Sequence, residues 1–127
     1  MRVWFILGLS LLSLSSWAEW TAAESQGKVS VYFDEGTLDR RSPAEGKVWL
    51  LFDREEADKL YKKTYRSSKE FIEFDCVTHR FQILRFNLYP EQMGQGGAVD
   101  ISSAKGVWHL MDETDLRSGV FHRLCPR

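Results

Sequence analysis

Apolar and polar residues alternate with a period of two along most of the chain after its first eighteen residues. Val29, Val31 and Phe33 are separated by polar or smaller neighbours, and Ile72 and Phe74 follow the same rule. Such alternation is typical of a β-strand with one face packed against a core. The pattern predicts about six strands, over residues 28–33, 47–53, 71–76, 80–89, 98–101 and 107–111.

Two of these predicted strands depart from simple alternation. Residues 48–52 are all apolar, which favours a central strand covered on both faces. In residues 80–89 the apolar phase slips between Ile83 and Leu84, which predicts a β-bulge or a change of packing partner. We expect Trp49, Phe52 and Phe86 in the core of the protein.

The end of the chain has a helical rather than a strand period. Apolar residues recur at one-turn spacing, which predicts an amphipathic helix with Thr114 or Asp115 as its N-cap. Residues 54–65 are charged and fit either a short helix or a long hairpin. The fold class is therefore α+β, an antiparallel sheet with a C-terminal helix packed on one face. The apolar helix positions are Leu116, Val120, Phe121, Leu124 and Cys125.

The first eighteen residues have the pattern of a secretory signal peptide. Arg2 precedes an apolar run at residues 3–14, and small residues at Ser16 and Ala18 predict cleavage after Ala18. The run is shorter than the roughly 20 apolar residues of a transmembrane helix, so we expect no membrane span after cleavage. No cysteine lies near the cut, so no lipid anchor is expected. A single domain, residues 19–127, is then exported to the periplasm, the cell surface or the medium.

The charge balance excludes nucleic acid as the expected partner. The chain has 17 basic and 18 acidic residues, and removal of Arg2 with the signal leaves a net charge near −2. Basic residues at positions 59–69 are flanked by acidic ones at positions 55, 56, 58 and 70, which is typical of a solvated face. The binding candidates are Lys62, Lys63, Arg66 and Phe71, the last on the opposite face of its strand from Phe74.

Two cysteines in an exported chain predict one disulfide, Cys76–Cys125. Closing a loop of about 50 residues would stabilise the fold by roughly 4 kcal/mol. The bond would join the last helix to the inward face of a strand. The alternative is zinc, because Cys76 with His79 and His122 with Cys125 form two half-sites that could together supply a tetrahedral ligand set.

The sequence contains no known catalytic motif. There is no Gly-x-Ser-x-Gly elbow, no His-Glu-x-x-His and no phosphate-cradling glycine loop before a helix. Histidine–aspartate pairs with a serine nucleophile can be assembled only from scattered residues, so we expect no enzyme and no cofactor. The scattered residues are His79 with Asp75, His109 with Asp112, and Ser67, Ser102 and Ser118.

Several segments occur in an order that resembles the surface-adhesin protein E family of Gram-negative bacteria. They are Trp20, residues 32–34, 47–53, 65–69 and 73–76, then Arg80, Trp108 and Cys125. The resemblance implies a small antiparallel sheet whose C-terminal helix is tied to its concave face by the Cys76–Cys125 disulfide. The implied activity is non-catalytic binding, since the founding member is an adhesin that contacts host extracellular-matrix and serum proteins.

The sequence therefore predicts an exported, adhesin-like binding module with a protein partner. Because small sheets have free edges, a homodimer formed through one edge is also expected. Two alternatives remain open at this point. One is a periplasmic metal-binding or hydrolytic protein that uses His79 and His122, and the other is a structural envelope protein.

Overall fold

Eight β-strands in one antiparallel sheet make up most of the residues that the structure describes. The computed structural model describes residues 19–103 and 106–126, so the predicted signal peptide lies outside the described residues. Within these ranges, no helix has the length and apolar character needed to cross a membrane. The strands are β1 (Trp20–Gln26), β2 (Val29–Asp34), β3 (Asp39–Ser42), β4 (Glu45–Leu60), β5 (Lys63–Asp75), β6 (Arg80–Tyr89), β7 (Asp100–Ser103) and β8 (His109–Leu110).

The strands lie in the order β1-β2-β4-β5-β6-β7, with β3 beside β4 and β8 beside β6. The longest strand pair, β4 and β5, is therefore central. A register shift between β5 and β6 leaves Leu84 without a partner, which confirms the predicted bulge. Two short 3-10 helices interrupt the connections, at Glu35–Thr37 and Gln92–Gly94.

Two strands were not predicted from the sequence, and each omission has a physical reason. β1 carries mostly small or polar side chains, and a bulge between Ala22 and Glu24 breaks its alternation. β3 consists entirely of polar residues and pairs only with β4. β6, in contrast, begins and ends at the predicted residues, because large apolar side chains recur on both sides of its bulge.

The charged segment after the central strand is a hairpin and not a helix. β4 continues to Leu60 and β5 begins at Lys63, joined by Tyr61 and Lys62 with φ of 49° and 66°. Positive φ at both central residues is what a two-residue hairpin turn requires. Residues 54–66 extend past the ends of the neighbouring strands and are called the hairpin arm below.

The core lies between one face of the sheet and the C-terminal helix α1, Ser118–Leu124. We call this the inner face and the opposite one the outer face. Side chains alternate between the two faces along each strand, so Val48, Leu50 and Phe52 point inward from β4. The buried core residues are Val31, Phe33, Val48, Leu50, Phe52, Ile72, Phe74, Phe81, Met111, Val120, Phe121 and Leu124.

Helix α1 begins later than the sequence predicts, and its cap comes from another strand. The Asp115 carboxylate accepts the Arg117 backbone N–H at 2.8 Å, which holds residues 115–117 in a turn. The Gly119 backbone N–H instead donates to the Glu24 carboxylate of β1 at 2.9 Å. The predicted N-cap at Thr114 or Asp115 is therefore wrong. The Glu24 carboxylate, which the tertiary fold brings to the start of the helix, accepts a backbone N–H there instead.

The disulfide joins the end of α1 to the end of β5. Cys76 and Cys125 are bonded with a Cα–Cα distance of 5.5 Å, which confirms the predicted pair. The Cys76 backbone N–H also donates to the Ala44 carbonyl at 2.6 Å, and Arg40 donates to the Leu124 carbonyl at 2.8 Å. The C-terminal end of the helix is thus held at several points.

A buried ion pair holds the other end of the helix. Glu70 points to the inner face from the middle of β5, and its side chain is only 2% exposed. Arg117, one residue before α1, donates to Glu70 Oε2 from Nε at 3.1 Å and from Nη2 at 2.7 Å. The same guanidinium lies over the rings of Phe52 and Phe81, at 5.2 and 5.0 Å from their centroids. The two rings and the carboxylate together compensate the cost of removing the Arg117 guanidinium from water.

Burial raises the pKa of the Glu70 carboxyl above its ordinary value, although the Arg117 charge and its hydrogen bonds act in the opposite direction. The folded protein therefore binds a proton at Glu70 more readily than the unfolded chain does. The contribution of this group to stability is full below its unfolded pKa and declines as pH rises through the folded pKa.

Loss of the disulfide should destabilise the domain strongly. We expect Cys76→Ser or Cys125→Ser to lower the free energy of unfolding by about 2–5 kcal/mol, because the unfolded chain regains the freedom of a long loop. Denaturant unfolding measures this change. Reductant should reproduce the loss in the wild-type protein and leave the variants unaffected. Equal stability of variants and wild type would contradict the proposed tether.

Arg117→Ala should leave Glu70 as a buried charge without its partner. We expect a loss of about 3–5 kcal/mol in unfolding free energy at pH 7. The loss should shrink as the pH falls and Glu70 becomes protonated, because the neutral carboxyl needs no counter-charge. Thermal unfolding of variant and wild type across this pH range tests both statements. A loss that does not change with pH would show that the role of Arg117 is packing alone.

Candidate functional site

A row of large side chains crosses the outer face of the sheet. Trp20 lies opposite Asp34 in the β1–β2 pair, and Trp49 lies opposite Phe71 in the β4–β5 pair. Phe71 in turn lies opposite Arg85 on β6. None of the three aromatic side chains belongs to the buried core. The row therefore presents aromatic surface on the side of the sheet that α1 does not cover.

The centre of this row is an aromatic pair. The rings of Trp49 and Phe71 are stacked with centroids 5.1 Å apart. Phe71 faces away from Phe74, as the alternation predicts. The expectation that Trp49 lies in the core is wrong, because Val48 and Leu50 point inward and the residue between them must point outward. Phe52 is buried in the core as expected.

A shallow depression of about 200 Å³ opens beside the aromatic pair. Its polar members differ in how they are held. The Asp34 carboxylate accepts the Gly36 backbone N–H at 2.9 Å, and Asn87 Nδ2 donates to the Tyr89 hydroxyl at 3.3 Å. The depression is lined by Trp20, Asp34, Trp49, Lys69, Asn87 and Tyr89.

Lys69 occupies the depression as a cation between aromatic rings. Its Nζ lies 4.8 Å from the centroid of the Tyr89 ring and 5.7 Å from that of Trp20. Among the described residues, no carboxylate oxygen lies within 4 Å of this ammonium group. The faces of these two rings attract the ammonium group electrostatically.

The Gln92–Gly94 segment closes one side of the depression. Ser67 donates to the Glu91 carbonyl at 2.5 Å and accepts the Gly94 backbone N–H at 2.8 Å. The Met93 backbone N–H donates to Asp53 at 2.7 Å. A Cβ at Gly94 would lie 2.5 Å from Lys69 Cε, so a larger residue there would displace the end of the lysine side chain. The φ of 68° at Gly94 also favours glycine.

The three basic candidates from the sequence all lie on the hairpin arm, and two of them are already bonded within the protein. Lys62 lies at the exposed tip of the hairpin arm, and the Lys63 ammonium pairs with Asp100 at 3.2 Å. Arg66 lies at the base of the arm, where Nη2 donates to the Glu55 carbonyl at 2.6 Å. Lys69 is separate from these, on the outer face beside Phe71.

The alternative metal set is not assembled. Both cysteine sulfurs form the disulfide, so neither is a thiolate ligand. The His79 ring packs edge-on against Phe121 at 4.9 Å, and His122 Nε2 contacts a Glu113 carboxylate oxygen at 2.9 Å. In residues 19–103 and 106–126, no group of three or more His, Cys, Asp or Glu side chains is arranged to hold a metal ion.

The scattered catalytic candidates have other partners. Ser67 is used in the Gln92–Gly94 connection, and Ser118 donates to the Glu113 carbonyl at 3.2 Å. Asp75 accepts the Val77 and Thr78 backbone N–H groups, and these bonds lower the pKa of its carboxyl. Backbone bonds to Thr114 likewise lower the pKa of Asp112. In the part of the chain that the structure describes, no histidine hydrogen-bonds to either aspartate.

Sequence reasoning missed the residues that line the depression, because none of the six is among the binding candidates Lys62, Lys63, Arg66 and Phe71. Trp20 belongs to a strand that was not predicted, and Tyr89 reaches Lys69 only through the pairing of β5 with β6. One available signal was the alternation of side chains along β5, which places residues 69 and 71 on the opposite face from Ile72 and Phe74. That rule separates Lys69 from the solvated hairpin arm.

Comparison with known proteins places this sheet in a described family. The sequence matches the family described as Surface-adhesin protein E over residues 17–126. No curated protein matches the sequence. The family match covers every strand and the helix, including both cysteines.

Solved structures of Haemophilus influenzae protein E have the same fold. One crystal form matches with a TM-score of 0.62 at 14% identity, over 81% of this chain and 91% of that chain. A second structure gives 0.60 at 15% identity, over 81% and 87%. Protein E from a non-typeable strain gives 0.58 at 18% identity, over 77% and 71%. The shared fold agrees with the family match, and the chain therefore belongs to the surface-adhesin protein E family.

Proposed function

We propose that the protein is an exported, non-catalytic binding module that contacts a partner protein through the outer face of its sheet. The observation that carries this proposal is the Trp49–Phe71 stack, an aromatic pair on the face that α1 leaves uncovered. Tryptophan and tyrosine contribute most to the binding energy of protein interfaces. Trp20 and Tyr89 lie in the same depression and enlarge this aromatic surface.

Export is supported by the disulfide and by the family. Disulfides persist in oxidising compartments such as the periplasm and the extracellular space. The predicted signal peptide would direct the chain there, and surface adhesins work outside the cytoplasm. The partner is accordingly an envelope protein, or a host extracellular-matrix or serum protein, reached from the periplasm, the cell surface or the medium without a lipid anchor.

Binding is favoured over catalysis because the candidate catalytic side chains have structural roles. Ser67 fixes the Gln92–Gly94 segment, and Asp75 fixes the turn after β5. The outer face offers instead what an interface needs, namely aromatic area with a few fixed polar groups around it. No cofactor enters this proposal.

We also propose self-association through the β7 edge. β7 is the last strand in the sheet order, and Ile101 on it is 71% exposed. An exposed apolar edge strand is a template for pairing with a second chain. Ile101 lies opposite Asn87, so this edge is continuous with the aromatic outer face.

Outer-face variants should weaken partner binding without unfolding the domain. We expect Trp49→Ser and Phe71→Ser each to weaken binding at least about tenfold, because both truncate aromatic contact area. Biolayer interferometry against purified extracellular-matrix, serum and envelope proteins measures this change. Val77→Ser is the matched control, since Val77 is 81% exposed in the turn after β5. Unchanged binding by both outer-face variants would contradict the proposal.

An edge variant should separate the two chains of a dimer. We expect wild-type protein at tens of micromolar, roughly the range of weak interfaces, to sediment partly as a dimer. Ile101→Lys should sediment as a monomer, because a lysine on an edge strand opposes pairing. Analytical ultracentrifugation distinguishes the two states. A wild-type protein that is only monomeric under these conditions would refute edge pairing.

A further inference from the structure

Lys69 differs from the described lysines that form ion pairs. Lys28 pairs with Glu56 and Lys63 pairs with Asp100, and both of these lysines are exposed. Lys69 is half-buried, yet within residues 19–103 and 106–126 no carboxylate lies within ion-pair distance of it. Its ammonium group is therefore a partly buried positive charge without a carboxylate at ion-pair distance.

The surroundings of Lys69 fix the position of this charge. The ring of Tyr89 lies 4.8 Å from Nζ and that of Trp20 lies 5.7 Å from it. The Gly94 backbone closes a further side, because even a Cβ there would come within 2.5 Å of Lys69 Cε. A free lysine loses considerable side-chain entropy when it binds a ligand, but a lysine already held in place loses less.

We propose that Lys69 binds the carboxylate of a single aspartate or glutamate side chain of the partner protein, a deepening that rests on the proposed function of the outer face. An ammonium–carboxylate hydrogen bond is charge-assisted and stronger than a neutral one. The Trp49–Phe71 stack beside the depression would pack against an apolar neighbour of that acidic residue. The ligand is thus an acidic side chain flanked by apolar ones.

Asp34 limits the charge of the ligand. Its carboxylate lines the same depression and is already bonded to the Gly36 backbone N–H at 2.9 Å. A ligand with two or more negative charges would be repelled by this carboxylate more strongly than a single carboxylate would, which opposes phosphates and polyanions. The depression therefore suits one carboxylate, and a peptide backbone N–H is the natural neighbour for Asp34.

Titration with blocked tripeptides tests the proposal. The probes are N-acetyl-Leu-Glu-Leu amide and its Gln counterpart. Binding is measured from the chemical shifts of the Trp20 and Trp49 indole N–H signals in proton–nitrogen NMR spectra. We expect saturable shifts with the glutamate peptide and at least about tenfold weaker binding of the glutamine peptide. Lys69→Met should weaken the glutamate peptide equally, and Lys69→Arg should restore most of its binding.

Controls separate this inference from the proposed function. Lys62→Met, at the tip of the hairpin arm, should leave peptide binding unchanged. Equal titration of the two peptides, or normal binding by Lys69→Met, would overturn the role of Lys69. Saturation by a digalacturonate probe and by neither peptide would overturn the assignment of the carboxylate to a protein. If Trp49→Ser and Phe71→Ser abolish partner binding and Lys69→Met does not, only this inference fails.

Discussion

The structure depends on holding a seven-residue helix against one face of a sheet. A helix this short is unstable in water, because its few hydrogen bonds cannot offset the cost of nucleation. The Cys76–Cys125 bond holds its C-terminal end and the Glu70–Arg117 pair holds its N-terminal approach. Only with the helix in place are Phe74 and Phe121 buried against each other, with ring centroids 6.4 Å apart.

The two tethers act through different physical terms. The disulfide restricts the unfolded chain, so its contribution does not depend on a fine balance of charges in the folded state. The ion pair is costly to desolvate, and burial raises the pKa of the Glu70 carboxyl although the Arg117 charge acts in the opposite direction. Removing one partner of such a pair is destabilising, because the other charge is left buried without a counter-charge. Because the helix is confined to the inner face, the outer face remains available for a partner.

Much of the fold could be predicted from alternation and helical spacing alone. β2, β6 and the helix follow directly from where large apolar residues recur, and the cysteine count predicts the disulfide. β1 and β3 could not be predicted, because their small or polar side chains carry no hydrophobic signal. The helix start was wrong because its cap, Glu24, is 95 residues away from Gly119 in the sequence.

The candidate site could be predicted only in part. The outward orientation of Phe71 could be predicted from the alternation along β5, because the residues before and after it point inward. The enclosure of Lys69 could not be foreseen, because it needs the strand pairing that brings Tyr89 alongside and the loop that places Gly94 over the lysine. Sites assembled across strands are set by register, and register is a property of the whole sheet.

Hydroxyl-radical footprinting, on the free protein and on its complex with an extracellular-matrix, serum or envelope protein that it binds, tests the division between the two faces most directly. Phe74 and Phe121, on the inner face, should remain unmodified in both states. Trp49 and Phe71 should be modified in the free protein and protected in the complex. Modification of Phe121 in the free, oxidised protein, or protection confined to the hairpin arm, would contradict the account.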